Sequence, residues 1–143
     1  AALPYLKKSS NGHILSLSPP INLNPKWLTV FAPYTLSKYG MTLLSIGMAQ
    51  EFKDYAICVN TLCTETYIAT AAVTNNIANE EAVDICRKPE IMADAAYAII
   101  THRETGQHYL DEGVLRAYGV TDFVPYACNP DTIDSIQRDF FLD

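Results

Sequence analysis

Short apolar runs alternate with longer helical patterns along the chain, and this alternation predicts an α/β fold. Apolar runs bounded by polar or turn-forming residues predict strands at 12–18, 55–62 and 107–110. Helical spacing and capping residues predict the end of a helix at 1–8, a long helix at 34–52, a short helix capped by Asn79 at 79–86, and a helix from Pro89 that ends within 101–106. We expect residues 64–79 to be irregular or partly helical, and residues 111–143 to form a tail with many aromatic side chains.

The predicted helix at 34–52 is apolar around most of its circumference. Its apolar side chains are Met41, Leu43, Leu44, Ile46 and Met48, and close approach is possible at Gly40 and Gly47. A helix with this pattern is buried on several sides. We therefore expect either a homo-oligomer through this helix, or burial by a part of the same protein outside these residues.

The first turn of this helix carries a phenol and an amine. Proline is favoured at the first helical position, so Pro33 is expected to open the helix and to place Tyr34 in its first turn. Residues four apart share a helix face, so Tyr34 and Lys38 are predicted neighbours. A protonated Lys38 favours the phenolate and thereby lowers the pKa of Tyr34, which suits proton exchange with an alcohol or carbonyl. The bare pattern is common, so its chance occurrence in an unrelated α/β domain stays open.

Charge and apolar content exclude several kinds of partner and site. Ten basic and sixteen acidic residues give a net charge of −6, which argues against a nucleic-acid or anionic-membrane surface. No apolar run approaches the length of about 18 residues that a transmembrane helix needs. The four cysteines and three histidines lack the spacing of metal ligands, so no metal site is predicted. The start at Ala1 looks like the last turns of a helix already under way, so we expect a fragment of a longer protein.

The order of these elements resembles the short-chain dehydrogenase/reductases. It consists of a strand that ends in serine, a loop, a helix with Tyr34 and Lys38, and a strand that leads to Asn60. Motifs at 18–20, 22–25, 38–41, 111–115 and 139–143 resemble one branch of that family, over essentially all 143 residues. The resemblance implies the C-terminal half of a Rossmann-type doubly wound parallel sheet, with the N-terminal dinucleotide-binding half absent from this chain.

The resemblance also implies an activity and a set of site residues. The reaction would be an NAD(P)-dependent oxidation or reduction at a hydroxyl or carbonyl of a lipid-like substrate of fatty-acyl or steroid type, with NADP or NAD as cofactor. Tyr34 would be the general acid/base and Lys38 would assist it, and both would bind the cofactor, with Lys38 at the nicotinamide ribose. Ile68 and Thr70, which follow Asn60, would bind the nicotinamide carboxamide. The branch implies a peroxisomal or mitochondrial location and a following sterol-carrier-type lipid-binding domain, although no targeting signal lies in these residues.

Two departures from the family pattern bear on catalysis. Aligning residues 14–18 with the family's strand places Pro19 where the catalytic serine is expected, and proline has no hydroxyl. Ser18 is the third candidate catalytic residue, because it takes that place if the loop shifts register. Thr64 and Glu65 stand where the family has a Pro-Gly pair. These departures leave open a catalytically weak or inactive reductase-fold module for dimerisation or lipid handling.

Overall fold

The chain divides into two units, each built from two separate stretches of sequence. The computed structural model describes residues 1–29, 31–76 and 80–142. The first unit, here called the sheet unit, comprises Ala1–Cys63 and Ile99–Tyr109. The second, here called the C-terminal unit, comprises the described residues of Thr64–Ala98 and Leu110–Leu142.

The sheet unit contains a three-stranded sheet. Its strands are β1 (His13–Leu17), β2 (Cys58–Cys63) and β3 (His108–Leu110), in the order β1-β2-β3. β1 and β2 run parallel, with His13 opposite Cys58 and Leu17 opposite Leu62. β2 lies between the other two strands and is buried from Cys58 to Leu62, which explains why its sequence lacks a polar face. The predicted α/β fold with a parallel sheet is confirmed.

Six α-helices and four 3-10 helices complete the described part of the chain. The α-helices are α1 (Leu3–Leu6), α2 (Lys26–Thr29), α3 (Ala32–Glu51), α4 (Ala71–Asn76), α5 (Glu90–Thr101) and α6 (Asp111–Ala117). The 3-10 helices are Lys53–Tyr55, Glu80–Ile85, Val124–Tyr126 and Pro130–Ser135. The long helix predicted at 34–52 and the helix predicted after Pro89 are confirmed as α3 and α5.

A small apolar cluster joins α3 to the sheet. Its buried members are Ala49, Phe52, Ile57 and Val59, with Leu3, Leu6, Ile14 and Met48 packed against them. Gly12 precedes β1 at a place where an added Cβ would lie 2.8 Å from the Leu6 carbonyl oxygen. Glycine is therefore required there, because any other side chain would push α1 away from the start of β1.

The strand predicted at 55–62 begins later than expected, at Cys58. Residues Lys53–Tyr55 form a 3-10 turn, and Ala56 ends it in the left-handed region with a φ of 53°. Non-glycine residues rarely adopt that conformation, and nothing in the apolar character of Tyr55 and Ala56 predicts a left-handed residue. The apolar pattern therefore extended the predicted strand into a turn.

The prediction that residues 111–143 form only a tail is wrong. They contain α6 and two 3-10 helices. Asp111 and Glu112 stand in the first turn of α6 and Arg116 in its last, a charge order that stabilises the helix dipole. The short helix predicted at 79–86 is a 3-10 helix at Glu80–Ile85, and Asn79, its predicted cap, lies outside the described residues.

Helix α3 buries several hydroxyl side chains and exposes several large apolar ones. The buried residues are Thr35, Tyr39, Thr42, Ser45 and Ala49. The exposed ones include Leu36, Leu43 and Leu44, with 75%, 60% and 66% of their surface accessible. The apolar circumference thus reflects an outward face that the described residues do not cover. That a second copy or another part of the protein covers it stays a prediction.

Candidate active site

Tyr34 and Lys38 lie side by side in the first turns of α3. The helix begins at Ala32, one residue before Pro33, which was expected to open it, and Tyr34 lies in the first turn as predicted. The Lys38 ammonium nitrogen is 5.8 Å from the centroid of the Tyr34 ring. The Tyr34 side chain is 51% exposed, so its phenol is accessible to a small molecule. The predicted pairing of a phenol and an amine on one helix face is therefore present.

The ammonium group of Lys38 is held against the end of β1. Its Nζ donates a hydrogen bond to the carbonyl oxygen of Leu17 at 3.1 Å. Leu17 is the last residue of β1, so this bond joins α3 to the edge of the sheet where β1 ends. An ammonium has three N–H donors, and among the described residues only the Leu17 carbonyl oxygen is a hydrogen-bond partner of the Lys38 ammonium.

Ser18 faces α3 at a different level of the helix. Its side chain is buried, and its hydroxyl oxygen lies 3.0 Å from that of Thr42. The Thr42 hydroxyl also donates to the carbonyl oxygen of Pro19 at 2.8 Å. Thr42 is eight residues beyond Tyr34, roughly 12 Å along the helix axis. The hydrogen-bond partner of the Ser18 hydroxyl, Thr42, therefore lies about two turns of α3 beyond Tyr34.

The loop between β1 and α3 is fixed by two hydroxyl groups that the sequence did not single out for this purpose. The Tyr39 hydroxyl donates to the carbonyl oxygen of Asn22 at 2.5 Å and accepts from its backbone N–H at 3.1 Å. Thr35 donates to the carbonyl oxygen of Trp27 at 2.8 Å. The available signal was the set of hydroxyl residues on one face of a helix. Such groups need partners when they are buried.

The remaining two predicted site residues belong to the C-terminal unit. Ile68 is buried and Thr70 is exposed, and the Thr70 N–H donates to the Ile68 carbonyl oxygen at 2.7 Å. Ile68 pairs with Arg87 in a short parallel bridge, and the Ala69 N–H donates to the Arg87 carbonyl oxygen at 2.9 Å. The backbone is thus fixed up to Ala69, and the Thr70 side chain is open to solvent.

A buried acid of the C-terminal unit was missed by the sequence analysis. Asp111 is fully buried, and its Oδ1 accepts hydrogen bonds from the backbone N–H groups of Glu65 and Glu112, both at 2.8 Å. Its Oδ2 is buried without a hydrogen-bond partner among the described residues. Burial raises the pKa of Asp111 to about 6, against the effect of the two backbone hydrogen bonds. Only the position of Asp111 directly after an apolar strand hinted at its burial.

Glu112, the residue after Asp111, forms a buried ion pair with Arg87. The Arg87 guanidinium donates to the carboxylate of Glu112 and, at 3.0 Å, to the carbonyl oxygen of Phe123. Arg116 donates to the other oxygen of Glu112 at 3.0 Å. Both charges of the Arg87–Glu112 pair are buried, so removal of either partner would leave an uncompensated charge.

The described residues contain neither a cluster of metal ligands nor a membrane-spanning helix. Among residues 1–29, 31–76 and 80–142, no group of three or more His, Cys, Asp or Glu side chains could hold a metal ion. In the same residues, no helix is both long and apolar enough to cross a membrane.

The chain is similar to curated proteins over its whole length, although no protein-family model matches it. Hydroxysteroid dehydrogenase-like protein 2 from Danio rerio is 48% identical over 143 residues, which are 99% of this chain and 34% of that protein. The protein of the same name from Homo sapiens is 45% identical over an alignment of 145 positions, which covers 100% of this chain and 34% of that protein. The chain therefore spans about a third of the length of these curated relatives.

Solved structures show the same fold. A candidate dehydrogenase from Xanthomonas campestris matches with a TM-score of 0.89 and 42% identity, over 99% of this chain and 52% of that one. A short chain dehydrogenase from Mycobacterium thermoresistibile matches with a TM-score of 0.86 and 45% identity, over 99% and 50% of the two chains. 4-Hydroxyisoleucine dehydrogenase complexed with NADH is 23% identical, with a TM-score of 0.54 over 76% and 48% of the two chains, and shows likeness of fold alone.

The buried carboxyl of Asp111 should make the stability of the whole protein depend on pH. Folding raises the pKa of Asp111 from 3.8 to about 6, so its stabilising contribution is complete below pH 4 and is lost as the pH rises through 6. The shift corresponds to about 3 kcal/mol. Because asparagine does not titrate, the unfolding free energy of Asp111→Asn relative to wild type should rise by up to about 3 kcal/mol between pH 4 and pH 7.

Urea unfolding at the two pH values measures this difference. The control is Asp134→Asn, because Asp134 is an exposed acid of the same unit and its replacement should give the same difference at both pH values. A pH-independent effect of Asp111→Asn would show that the Asp111 carboxyl does not change its protonation between these two pH values.

Proposed function

We propose that this chain, whose close homologues are hydroxysteroid dehydrogenase-like proteins and whose structural neighbours are short-chain dehydrogenases, is part of an NAD(P)-dependent oxidoreductase. Its substrate would be a hydroxyl or carbonyl compound of lipid-like character, of fatty-acyl or steroid type. The observation that carries the proposal is the exposed Tyr34 phenol beside the Lys38 ammonium at the end of β1. Because the chain spans about a third of its curated relatives, the reaction is proposed for the whole protein.

Tyr34 is proposed as the group that moves the proton. The positive charge of Lys38, 5.8 Å from the ring centroid, favours the phenolate form and so eases loss of the phenolic proton. In the direction of reduction, Tyr34 gives its proton to the carbonyl oxygen as a hydride reaches the carbonyl carbon. In the direction of oxidation, the phenolate removes the hydroxyl proton. The Tyr34 residue is 51% exposed, which supports its access to a substrate.

Lys38 is proposed to hold the ribose of a nicotinamide dinucleotide. Its bond to Leu17 uses one of three N–H donors, and the ammonium has no other acceptor among the described residues. Two further donors would suit the two hydroxyl groups of a ribose. The bound dinucleotide supplies or accepts the hydride. Thr70, the exposed residue next to the buried Ile68 backbone, is proposed to face its carboxamide. Whether the dinucleotide is NAD or NADP depends on residues outside this chain.

A second candidate function is a catalytically weak or inactive reductase-fold module for dimerisation or lipid handling. The packing of Ser18 favours it. The Ser18 hydroxyl is buried against Thr42, and Pro19 has no hydroxyl to stabilise charge on a substrate oxygen. Loss of that donor would slow the reaction without changing the fold.

The exposed face of α3 is proposed to pack against a second copy of the chain. Leu36, Leu43 and Leu44 are exposed there. Gly40 and Gly47 lie on the same face one heptad apart, and an added Cβ at either would meet no atom within 4 Å. Glycines at this spacing let another helix approach closely, and the leucines supply the apolar surface to bury.

The role of Tyr34 is tested by Tyr34→Phe in the whole protein. Removal of the phenolic oxygen should lower kcat by about 10²–10⁴-fold, as expected when a general acid/base is lost. Affinity for NADH or NADPH should stay within about twofold, since Lys38 and Thr70 remain. Steady-state kinetics on one carbonyl substrate measures the effect, and Tyr5→Phe, a change at a 78% exposed tyrosine, is the control. Near-normal turnover of Tyr34→Phe would disprove the assignment.

The roles of Ser18 and Pro19 are separated by two substitutions in the same assay. If the serine position of the family is lost in this protein, Pro19→Ser should raise kcat by as much as about 10²–10³-fold, and Ser18→Ala should change it little. If Ser18 is the donor, Ser18→Ala should lower kcat by a similar factor, and Pro19→Ser should have little effect. The burial of Ser18 against Thr42 leads us to expect the first result. The second would assign catalysis to Ser18.

The proposed interface on α3 is tested by Leu43→Asp in the whole protein. A carboxylate at this exposed apolar position should not affect the fold, but burying it against a second helix would be costly. Sedimentation velocity should show an oligomer for wild type and a single copy for the variant. The control is Gln50→Glu, a charge placed at an exposed polar position of the same helix. An unchanged oligomer in Leu43→Asp would place the interface elsewhere.

A further inference from the structure

Residues 64–70, here called the post-β2 segment, are held along one edge by residues 137–140, here called the C-terminal strip. Thr66 pairs with Arg138 in an antiparallel bridge. The Tyr67 N–H donates to the Gln137 carbonyl oxygen at 2.9 Å, and the Asp139 N–H donates to the Glu65 carbonyl oxygen at 3.1 Å. The two stretches therefore form a small antiparallel ladder, although neither was predicted as a strand.

Side chains reinforce the same pairing. The Thr64 hydroxyl donates a hydrogen bond to the carboxylate of Asp139. The rings of Tyr67 and Phe140 pack with their centroids 5.7 Å apart. The carboxylate of Asp139 also accepts from the Phe140 N–H at 2.8 Å. The C-terminal strip thus contacts the post-β2 segment through its backbone, one charged hydrogen bond and an aromatic pair.

Further contacts of the post-β2 segment come from Arg87 and Asp111. The Arg87 N–H donates to the Tyr67 carbonyl oxygen at 2.8 Å, and the Arg87 carbonyl oxygen accepts from Ala69. The buried Asp111 carboxylate accepts from the Glu65 N–H at 2.8 Å. Backbone groups of the segment are therefore bonded from Glu65 to Ala69, and Thr70 follows directly with its side chain in solvent.

We propose that the C-terminal strip is a clamp that positions the post-β2 segment for the nicotinamide end of the cofactor, with Asp139 as its positioning residue. The inference rests on the proposed function, because it assigns a purpose to the segment that carries Thr70. A segment without regular structure fluctuates unless its backbone groups are bonded. The strip supplies part of those bonds from residues more than sixty positions away in the sequence, and Arg87 and Asp111 supply others, so the backbone that leads to Thr70 is held before the cofactor binds. Such preorganisation increases affinity by lowering the entropy lost on binding.

Asp139 can be tested because its side chain makes a bond that is separable from its backbone pairing. In the whole protein, Asp139→Ala removes the acceptor of the Thr64 hydroxyl and of the Phe140 N–H, and leaves the backbone bonds between the two stretches intact. We expect Kd for NADH or NADPH to rise roughly three- to tenfold, the equivalent of losing part of one charged hydrogen bond. Thr64→Val should have a similar effect, and the double variant should be no weaker than either single variant. Asp139→Asn retains an acceptor oxygen and should bind within about twofold of wild type.

Three measurements distinguish positioning from general destabilisation. Amide hydrogen exchange at Glu65, Tyr67 and Ala69 should accelerate in Asp139→Ala, whereas exchange in β2 should not. In a Thr70→Ala background, Asp139→Ala should no longer weaken cofactor binding, because the clamp acts through the segment that presents Thr70. Asp134→Ala, at an exposed acid of the same unit, should change neither exchange nor affinity.

The outcomes separate the clamp from the proposed function. If wild type binds neither NADH nor NADPH, the proposed function fails, and exchange at Glu65 and Tyr67 still shows whether the strip holds the segment. If wild type binds and Asp139→Ala binds equally well, the clamp is overturned and the function stands. Equal weakening by Asp139→Asn and Asp139→Ala would also overturn it, since the hydrogen bond would not be the cause.

Discussion

The placement of the candidate site depends on the polar contact between α3 and the end of β1. Thr42 bonds to the Pro19 carbonyl oxygen, and Lys38 bonds to that of Leu17. The bond from Thr42 is buried and is worth about 0.5–1.5 kcal/mol net, and its loss would leave a buried polar group whose desolvation costs about as much again. The bond from Lys38 is exposed to water. These bonds fix the position of α3 along β1. They therefore fix which turn of the helix, and so which tyrosine, stands at the end of β1.

The same contact explains the inverted character of α3. A helix that packs on a sheet usually buries its apolar stripe, yet α3 buries hydroxyl groups whose partners are backbone carbonyls of the preceding loop. The loop has little regular structure of its own, so its carbonyls need donors, and Thr35, Tyr39 and Thr42 supply them. Leu36, Leu43 and Leu44 are left on the outer face. One helix can thereby hold a functional loop on its inner side and offer an apolar surface on its outer side.

In the C-terminal unit, charged side chains hold backbone that has no regular structure. The backbone that follows β2 has no helix or long strand to bond to until Ala71, and its N–H groups find Asp111 and the C-terminal strip instead. A buried carboxylate with one oxygen that lacks a partner among the described residues is costly, and the raised pKa of Asp111 reflects that cost. The carboxylate of Glu112 holds the side chain of Arg87, and the backbone of Arg87 pairs with Ile68 of the segment after β2. Buried charge is thus placed where irregular backbone must be held in one conformation.

Sequence alone determined the features that depend on local spacing. The period of apolar residues placed β1, α3, β2 and α5 to within a few residues, and the four-residue separation of Tyr34 and Lys38 made them neighbours on any helix. Tertiary structure decided what depends on distant partners. The positive φ of Ala56 makes β2 begin later than the sequence predicted. The Ser18 hydroxyl forms a hydrogen bond with Thr42. Helix α6 and the C-terminal strip stand where the sequence predicted a tail. The division has one physical reason. Helical and strand periods are short-range properties, whereas hydrogen bonds such as that from Thr64 to Asp139 join residues that no local pattern relates.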